Sequence, residues 1–78
     1  MLKITRSGDR LKIEGRLAGE FVEEFVRNAA SNDRLDLGDL DFVDHDGLKA
    51  LRETIAAGAK ILEASPFVRA QLDLNGDA

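Results

Sequence analysis

The residues best suited to chemistry lie in one short segment, Asp44-His45-Asp46-Gly47, called the acidic turn below. His45 is the only histidine of the chain. Between two carboxylates it could act as a general base or a metal ligand. The necessary partners do not occur: there is no second His, no Cys, and no adjacent Ser or Thr. We therefore expect no catalytic residue, no metal and no cofactor. A hydrolytic or metal site at this turn is the enzymatic alternative.

Two familiar ligand-binding loops fit this sequence poorly. In a calcium loop starting at Phe42, the residues Asp44, Asp46, Gly47 and Glu53 would occupy the third, fifth, sixth and twelfth positions. The first ligand position would be Phe42 itself, and no helix is predicted before it, so calcium binding is not expected. Residues 15–19 lack the Lys-Ser/Thr ending of a phosphate-binding P-loop.

Negative charge is concentrated in the middle of the chain. The formal net charge is −4, which disfavours nucleic acid as a partner because phosphate binding needs a basic surface. Such a run of carboxylates is often only a solvated loop and strand edge; the functional interpretation is an acidic surface that docks a protein partner. Five carboxylates follow closely with no Lys or Arg among them: Asp36, Asp39, Asp41, Asp44 and Asp46.

Length and composition predict one small domain spanning residues 1–78. The absence of Cys excludes disulfides and thiolate metal sites and fits a reducing compartment, so we expect a cytoplasmic protein. Residues 1–6 are charged at every third position, unlike a signal peptide. No uncharged apolar run is long enough to span a bilayer, so direct membrane insertion is not expected.

The first part of the chain is typical of a β-hairpin followed by an amphipathic helix. Leu2, Ile4, Leu11 and Ile13 alternate with polar residues, and residues 7–10 favour a turn between the two strands. Residues 20–30 carry apolar side chains at helical spacing. The predicted apolar face consists of Phe21, Val22, Phe25, Val26 and Ala29.

A second helix is predicted after the acidic turn, from about residue 47 to residue 57. Leu48, Leu51 and Ile55 form its buried stripe, and Gly58 follows its end. Asp46 is predicted as the N-cap, because its carboxylate could accept a hydrogen bond from a backbone N–H of the first turn.

Three shorter predictions complete the elements. Residues 34–37 form a short strand that Gly38 and Asp39 interrupt, and Leu40, Phe42 and Val43 continue the core contact. Residues 59–64 form another strand. Residues 65 and 66 are Ser-Pro, which favours a short final helix, and residues 74–78 are turn-rich.

The predicted order ββαβαβα indicates an α/β fold with a single small mixed β-sheet and helices packed against it. Each β-α-β unit implies a right-handed crossover and parallel strands. Binding sites in such sheets gather at the carboxyl ends of the strands. The acidic turn is expected at one of these carboxyl ends.

These residues resemble the pattern of STAS domains, the fold of bacterial anti-sigma-factor antagonists. The resemblance covers nearly the whole chain. It rests on residues 35–37, 40 and 42–48 around the acidic turn, on Gly15-Arg16-Leu17 before the first helix, and on residues 58–61 and 65–68. It implies a STAS-like, non-catalytic protein that takes part in the regulation of transcription by binding an anti-sigma factor that is also a serine kinase.

In that family the turn usually reads Asp-Ser-Ser-Gly or Asp-Ser-Thr-Gly, and the second hydroxyl residue is phosphorylated. Here Asp44 and Gly47 match, His45 replaces the first Ser, and Asp46 stands at the phospho-acceptor position. A carboxylate cannot be phosphorylated as serine is, so Asp46 is a fixed, phosphomimetic charge. Family members often have an acidic residue after the Gly-x-Leu that precedes the first helix, and here that residue is Ala18. By the resemblance, we also expect the last secondary-structure element of the family to be absent.

The resemblance leaves two kinds of partner open. The first is the anti-sigma factor kinase, and the alternative is the ATPase of an ABC-type lipid transport system, for which the chain would be a small STAS subunit. In both cases the expected partner-binding residues are Asp44, His45, Asp46, Gly47, Lys49, Arg52 and Glu53.

Overall fold

Five strands and three helices follow one another along the described part of the chain. A computed structural model describes the backbone of residues 1–76 and the side chains of residues 1–72. The α/β fold and its mixed sheet are confirmed. The elements are β1 (Leu2–Ser7), β2 (Arg10–Leu17), α1 (Phe21–Asn28), β3 (Arg34–Leu37), β4 (Leu40–Val43), α2 (His45–Ala56), β5 (Lys60–Ala64) and α3 (Pro66–Gly76).

Strand β2 organises the sheet because it pairs with three other strands. It pairs antiparallel with β1 through the predicted hairpin, and parallel with β3 and β4. Strand β5 pairs parallel with the far side of β3. Strand β3 lies along the first part of β2 and β4 along its last part, so the two short strands follow each other down one side of β2.

Strand β4 is the main difference from the predicted order, which becomes ββαββαβα. Residues 40–43 were expected only to contact the core. A segment of four residues is too short for an alternation of apolar and polar side chains to indicate a strand. Residues 40–43 are a strand because they pair with the end of β2. Gly15 lies where β2 begins to pair with β4 instead of β3. The register shifts between Gly15 and Arg16, the φ of Gly15 is +95°, and a Cβ at this position would collide with the Met1 carbonyl oxygen.

The helices cover the sheet and close one core. Helix α1 packs against β2 and α2, α2 against β4 and α3, and α3 against β4 and β5. Leu48 and Leu51 are buried and Ile55 is partly buried, as predicted for the stripe of α2, whereas Val26 is 55% exposed. The buried apolar residues are Leu2, Leu11, Ile13, Leu17, Phe25, Leu35, Leu37, Leu40, Val43, Leu48, Ala50, Leu51, Ala59 and Val68.

The ends of the helices refine the predicted boundaries. Gly58 has a positive φ of 127° directly after the C-cap Ala57, as expected for the residue that follows a helix. Ser65 precedes α3, and its hydroxyl donates to the Leu40 carbonyl at 2.9 Å and accepts from Val68 N–H at 3.4 Å. Helix α3 includes residues 74–76, which were predicted as a tail; residues 77 and 78 lie outside the described part.

Asp33 is buried and forms an ion pair with Arg6. Asp33 accepts two hydrogen bonds from the Arg6 guanidinium, at 2.9 and 2.8 Å, and one from Ala30 N–H at 2.8 Å. This arrangement ties β1 to the loop after α1. The Arg6 hydrogen bonds lower the pKa of Asp33, and the Ala30 N–H adds to the effect.

Candidate docking surface

Asp44 begins helix α2, and the predicted N-cap at Asp46 is wrong. The Asp44 carboxylate accepts a hydrogen bond from Gly47 N–H at 2.7 Å, and its carbonyl accepts from Leu48 N–H at 2.9 Å. The helix therefore starts at His45, two residues earlier than expected, and Asp46 belongs to its first turn. The sequence was ambiguous because both aspartates can cap a helix, and only Asp44 has the extended backbone of a cap.

Asp44 also connects the helix to the neighbouring loop. Its second carboxylate oxygen accepts from Gly19 N–H at 3.0 Å, and its own N–H donates to the Leu17 carbonyl at 3.2 Å. The hydrogen bonds from Gly19 and Gly47 lower the pKa of Asp44. The Asp44 carboxylate thus joins the loop before α1 to the start of α2, and the Asp44 backbone N–H joins both to the end of β2.

Gly47 lets α2 approach the end of β2 closely. It is buried, and a Cβ at this position would collide with the Leu17 carbonyl oxygen and lie 3.0 Å from Val43 Cγ1. Because the Leu17 carbonyl is part of the backbone, it cannot turn away as a flexible side chain could. Gly47 therefore has a packing role, and no side chain here could contact a partner.

His45 and Asp46 are the two exposed residues of the acidic turn. They occupy the first turn of α2, where the helix dipole favours a negative charge. No side-chain hydrogen bond or ion pair joins Asp46 to another described residue. Its carboxylate is thus presented to solvent at the N-terminal end of α2.

The exposed face of α2 continues from this turn as an open groove of about 420 Å³. Four of the predicted partner-binding residues, His45, Lys49, Arg52 and Glu53, line it together. Leu48 and Ala56 add apolar surface. The groove residues are related by steps of three or four positions along the chain, which explains why they share one side of the helix.

The acidic surface is smaller than the run of five carboxylates predicts. Asp36 is buried and accepts from the Arg10 guanidinium at 2.8 Å, which lowers its pKa. Asp39 forms an ion pair with Lys12 at 3.3 Å. Both partners come from β2, so the sequence near the aspartates gives no sign of them. The remaining acidic surface consists of Asp41, Asp44 and Asp46, of which Asp44 is only partly exposed.

An aromatic contact at the end of the sheet was not predicted. The Arg16 guanidinium carbon lies 4.4 Å from the centre of the Phe42 ring, and that ring stacks on Phe67 with centroids 6.3 Å apart. Phe67 remains 41% exposed. Residues 42 and 67 are distant in sequence and were interpreted only as apolar positions, so no local pattern could reveal the contact.

Sequence comparison does not assign the chain to a known group. No family profile matches it, and no curated protein is significantly similar. Among the described residues, no helix is long and apolar enough to cross a membrane. In the same part of the chain, no three acidic or histidine side chains converge as metal ligands would.

Proposed function

We propose that this chain is a STAS-like protein-protein interaction module, related in action to the anti-sigma-factor antagonists, and that it has no catalytic role. Its docking surface consists of His45 and Asp46, the exposed residues of the acidic turn, and the groove residues Lys49, Arg52 and Glu53. The observation that carries the proposal is the continuous exposed surface formed by the first turn of α2 and the groove that begins at His45.

The four residues of the acidic turn divide into two structural and two exposed positions. Asp44 caps α2, and Gly47 permits the contact with β2. Both are required for the strand-turn-helix geometry. His45 and Asp46 are free of that requirement and are exposed. The two positions that match the family motif are therefore those that the backbone needs, and the two that differ are those that a partner can reach.

The charge at residue 46 is permanent in this protein. Where the family carries a hydroxyl that is charged only after phosphorylation, Asp46 carries a carboxylate without any modification. The surface then requires no phosphoryl transfer and stays in one state. The groove below it alternates in sign, with Lys49 and Arg52 beside Glu53. A partner with a basic group facing Asp46 and an acidic group facing Lys49 or Arg52 would complement this surface.

Affinity capture from cells that contain the partner tests the proposal. The wild type is compared with Asp46→Lys and with Asp9→Lys. Asp9 lies in the turn before β2, at the end of the sheet opposite the acidic turn, and is exposed. Eight strand residues separate the two ends, roughly 25 Å. The two variants change the net charge equally.

Capture of a partner by the wild type and Asp9→Lys, but not by Asp46→Lys, supports the proposed surface. Identical sets of captured proteins for all three would refute it. The identity of the partner decides between an anti-sigma factor kinase and a transporter ATPase. With the purified partner, we expect Asp46→Lys to raise the Kd about tenfold or more, mainly through faster dissociation.

A further inference from the structure

Three cationic residues lie in register where the parallel strands begin. Arg10 of β2 pairs with Arg34 of β3, and Arg34 pairs with Lys60 of β5. Neighbouring strands are about 4.8 Å apart, so these positively charged side chains lie next to one another. Like charges at directly paired positions destabilise a sheet. We call these three residues the cationic row.

Only one member of the cationic row has its charge compensated. The Arg10 guanidinium donates to Asp36 at 2.8 Å. No ion pair or hydrogen bond among the described residues involves the side chain of Arg34 or Lys60. By contrast, Arg6 and Lys12 both have aspartate partners. Within the described part of the chain, these two adjacent positive charges therefore have no direct anionic partner, in a protein whose net charge is negative.

Arg34 and Lys60 share an open cleft with further hydrogen-bond donors. The cleft measures about 500 Å³, and the exposed residues Ser31 and Asn32 line its rim. Their hydroxyl and amide groups have no hydrogen-bond partner among the described residues. Of the residues that the structure describes, Asp9 is the only acidic one that lines the cleft. The lining therefore carries two positive charges, one negative charge and two neutral donor groups.

We propose that this cleft binds a phosphate-type oxyanion, either free inorganic phosphate or a phosphomonoester group. Arg34 supplies a planar fork of N–H donors, and Lys60 supplies a second positive charge. A dianion compensates both charges and has enough oxygen atoms to accept from Ser31 and Asn32 as well. A carboxylate would compensate only one of the two charges. The site lies at the opposite end of the sheet from the acidic turn and is independent of it.

Asp9 gives the proposal a specific consequence. Its carboxylate lies in the same cleft and repels any anion there. Asp9→Asn removes that repulsion while keeping a side chain of similar size. Anion binding to this variant should therefore be tighter than to the wild type. If the two cations were merely solvated surface residues, the change would have no such effect.

Titration of the 15N-labelled protein followed by NMR tests the site. Inorganic phosphate and phosphoserine are added separately at constant ionic strength, with chloride and acetate as reference anions. With phosphate and with phosphoserine, we expect saturable shifts of the backbone amide signals of residues 31–34 and 58–60. Tighter binding of phosphoserine would identify a phosphorylated side chain as the source, and equal or tighter binding of phosphate would identify the free ion. Shifts that do not saturate, or that chloride or acetate reproduces, would overturn the proposal.

Matched variants complete the experiment. Arg34→Gln/Lys60→Gln should weaken phosphate binding at least about tenfold, and Asp9→Asn should tighten it about twofold or more. Lys3→Gln/Arg69→Gln removes two exposed charges elsewhere and should leave the affinity unchanged. In low salt without phosphate, Arg34→Gln/Lys60→Gln should unfold at a temperature equal to or above that of the wild type, because it removes repulsion within the row. An equal loss of affinity in both double variants would contradict the assignment.

Discussion

Replacement of Gly47 by alanine tests how the docking surface is positioned. The added Cβ would collide with the Leu17 carbonyl oxygen and lie 3.0 Å from Val43 Cγ1 and 3.1 Å from Leu17 Cγ. The Leu17 carbonyl accepts a hydrogen bond from Asp44 N–H, so moving it would also disturb the cap of α2. The start of α2 must therefore move away from β2 to make room.

The size of the effect follows from two opposing contributions. Alanine is favoured over glycine within a helix by up to about 1 kcal/mol. Forcing an extra methyl group into a packed contact costs about 1–3 kcal/mol, and the cost should be near the upper limit because the obstacle is backbone. We expect the free energy of unfolding to fall by about 1–2 kcal/mol. For a chain of this size that lowers the Tm by roughly 4–16 °C.

Thermal and urea unfolding followed by circular dichroism measure this change. Gly38→Ala is the matched control, since a Cβ there would lie 3.4 Å from the Asp36 carboxylate and 3.5 Å from Glu63, which are ordinary contacts. It should change the free energy of unfolding by less than about 0.5 kcal/mol. A Gly47→Ala variant as stable as the wild type, or a larger loss in Gly38→Ala, would refute the described packing of α2.

Three further predictions concern the carboxylates. Asp33→Asn should lower the free energy of unfolding at pH 7 by about 1–3 kcal/mol, because the buried group loses charged hydrogen bonds to Arg6. Since folding lowers the pKa of Asp33, the contribution of its charge to the free energy of unfolding is complete above the ordinary pKa of 3.8 and is lost as the pH falls through the folded pKa. Urea unfolding at several pH values should therefore show a smaller loss of stability at acid pH in the variant than in the wild type. Asp44→Ala should lower the free energy of unfolding by about 1–2 kcal/mol in the same assay, because it removes the cap and the Gly19 contact, and an unchanged value would contradict the capping role. Asp46→Ser should gain one phosphoryl group by mass spectrometry after incubation with a cognate kinase and ATP, whereas the wild type should gain none at this residue.

Local sequence patterns predicted most of the fold. The hairpin and the buried stripe of α2 depend on the spacing of residues within one segment, and the structure confirms both. Strand β4 depends instead on pairing with the end of β2. Val26 has the right spacing for the core but remains 55% exposed, because no element in the described part of the chain covers it. Periodicity shows which residues can share a face, and it does not show how much of that face becomes buried.

The candidate sites depended more strongly on tertiary structure. The position of the acidic turn and the shared face of Lys49 and Arg52 followed from helical spacing. The choice of Asp44 over Asp46 as the cap depended on backbone geometry that two nearby aspartates do not reveal. The cationic row could not be predicted, since Arg34 and Lys60 meet only through the register of β3 and β5.

The central claim is that the acidic turn and the exposed face of α2 dock a protein partner. Adding the captured, unlabelled partner to the 15N-labelled protein and mapping the perturbed amide signals tests it most directly. We predict that the largest changes fall on residues 45–53, and that they disappear in Asp46→Lys but persist in Asp9→Lys. Changes centred on β1 or α1, with residues 45–53 unaffected, would contradict the claim.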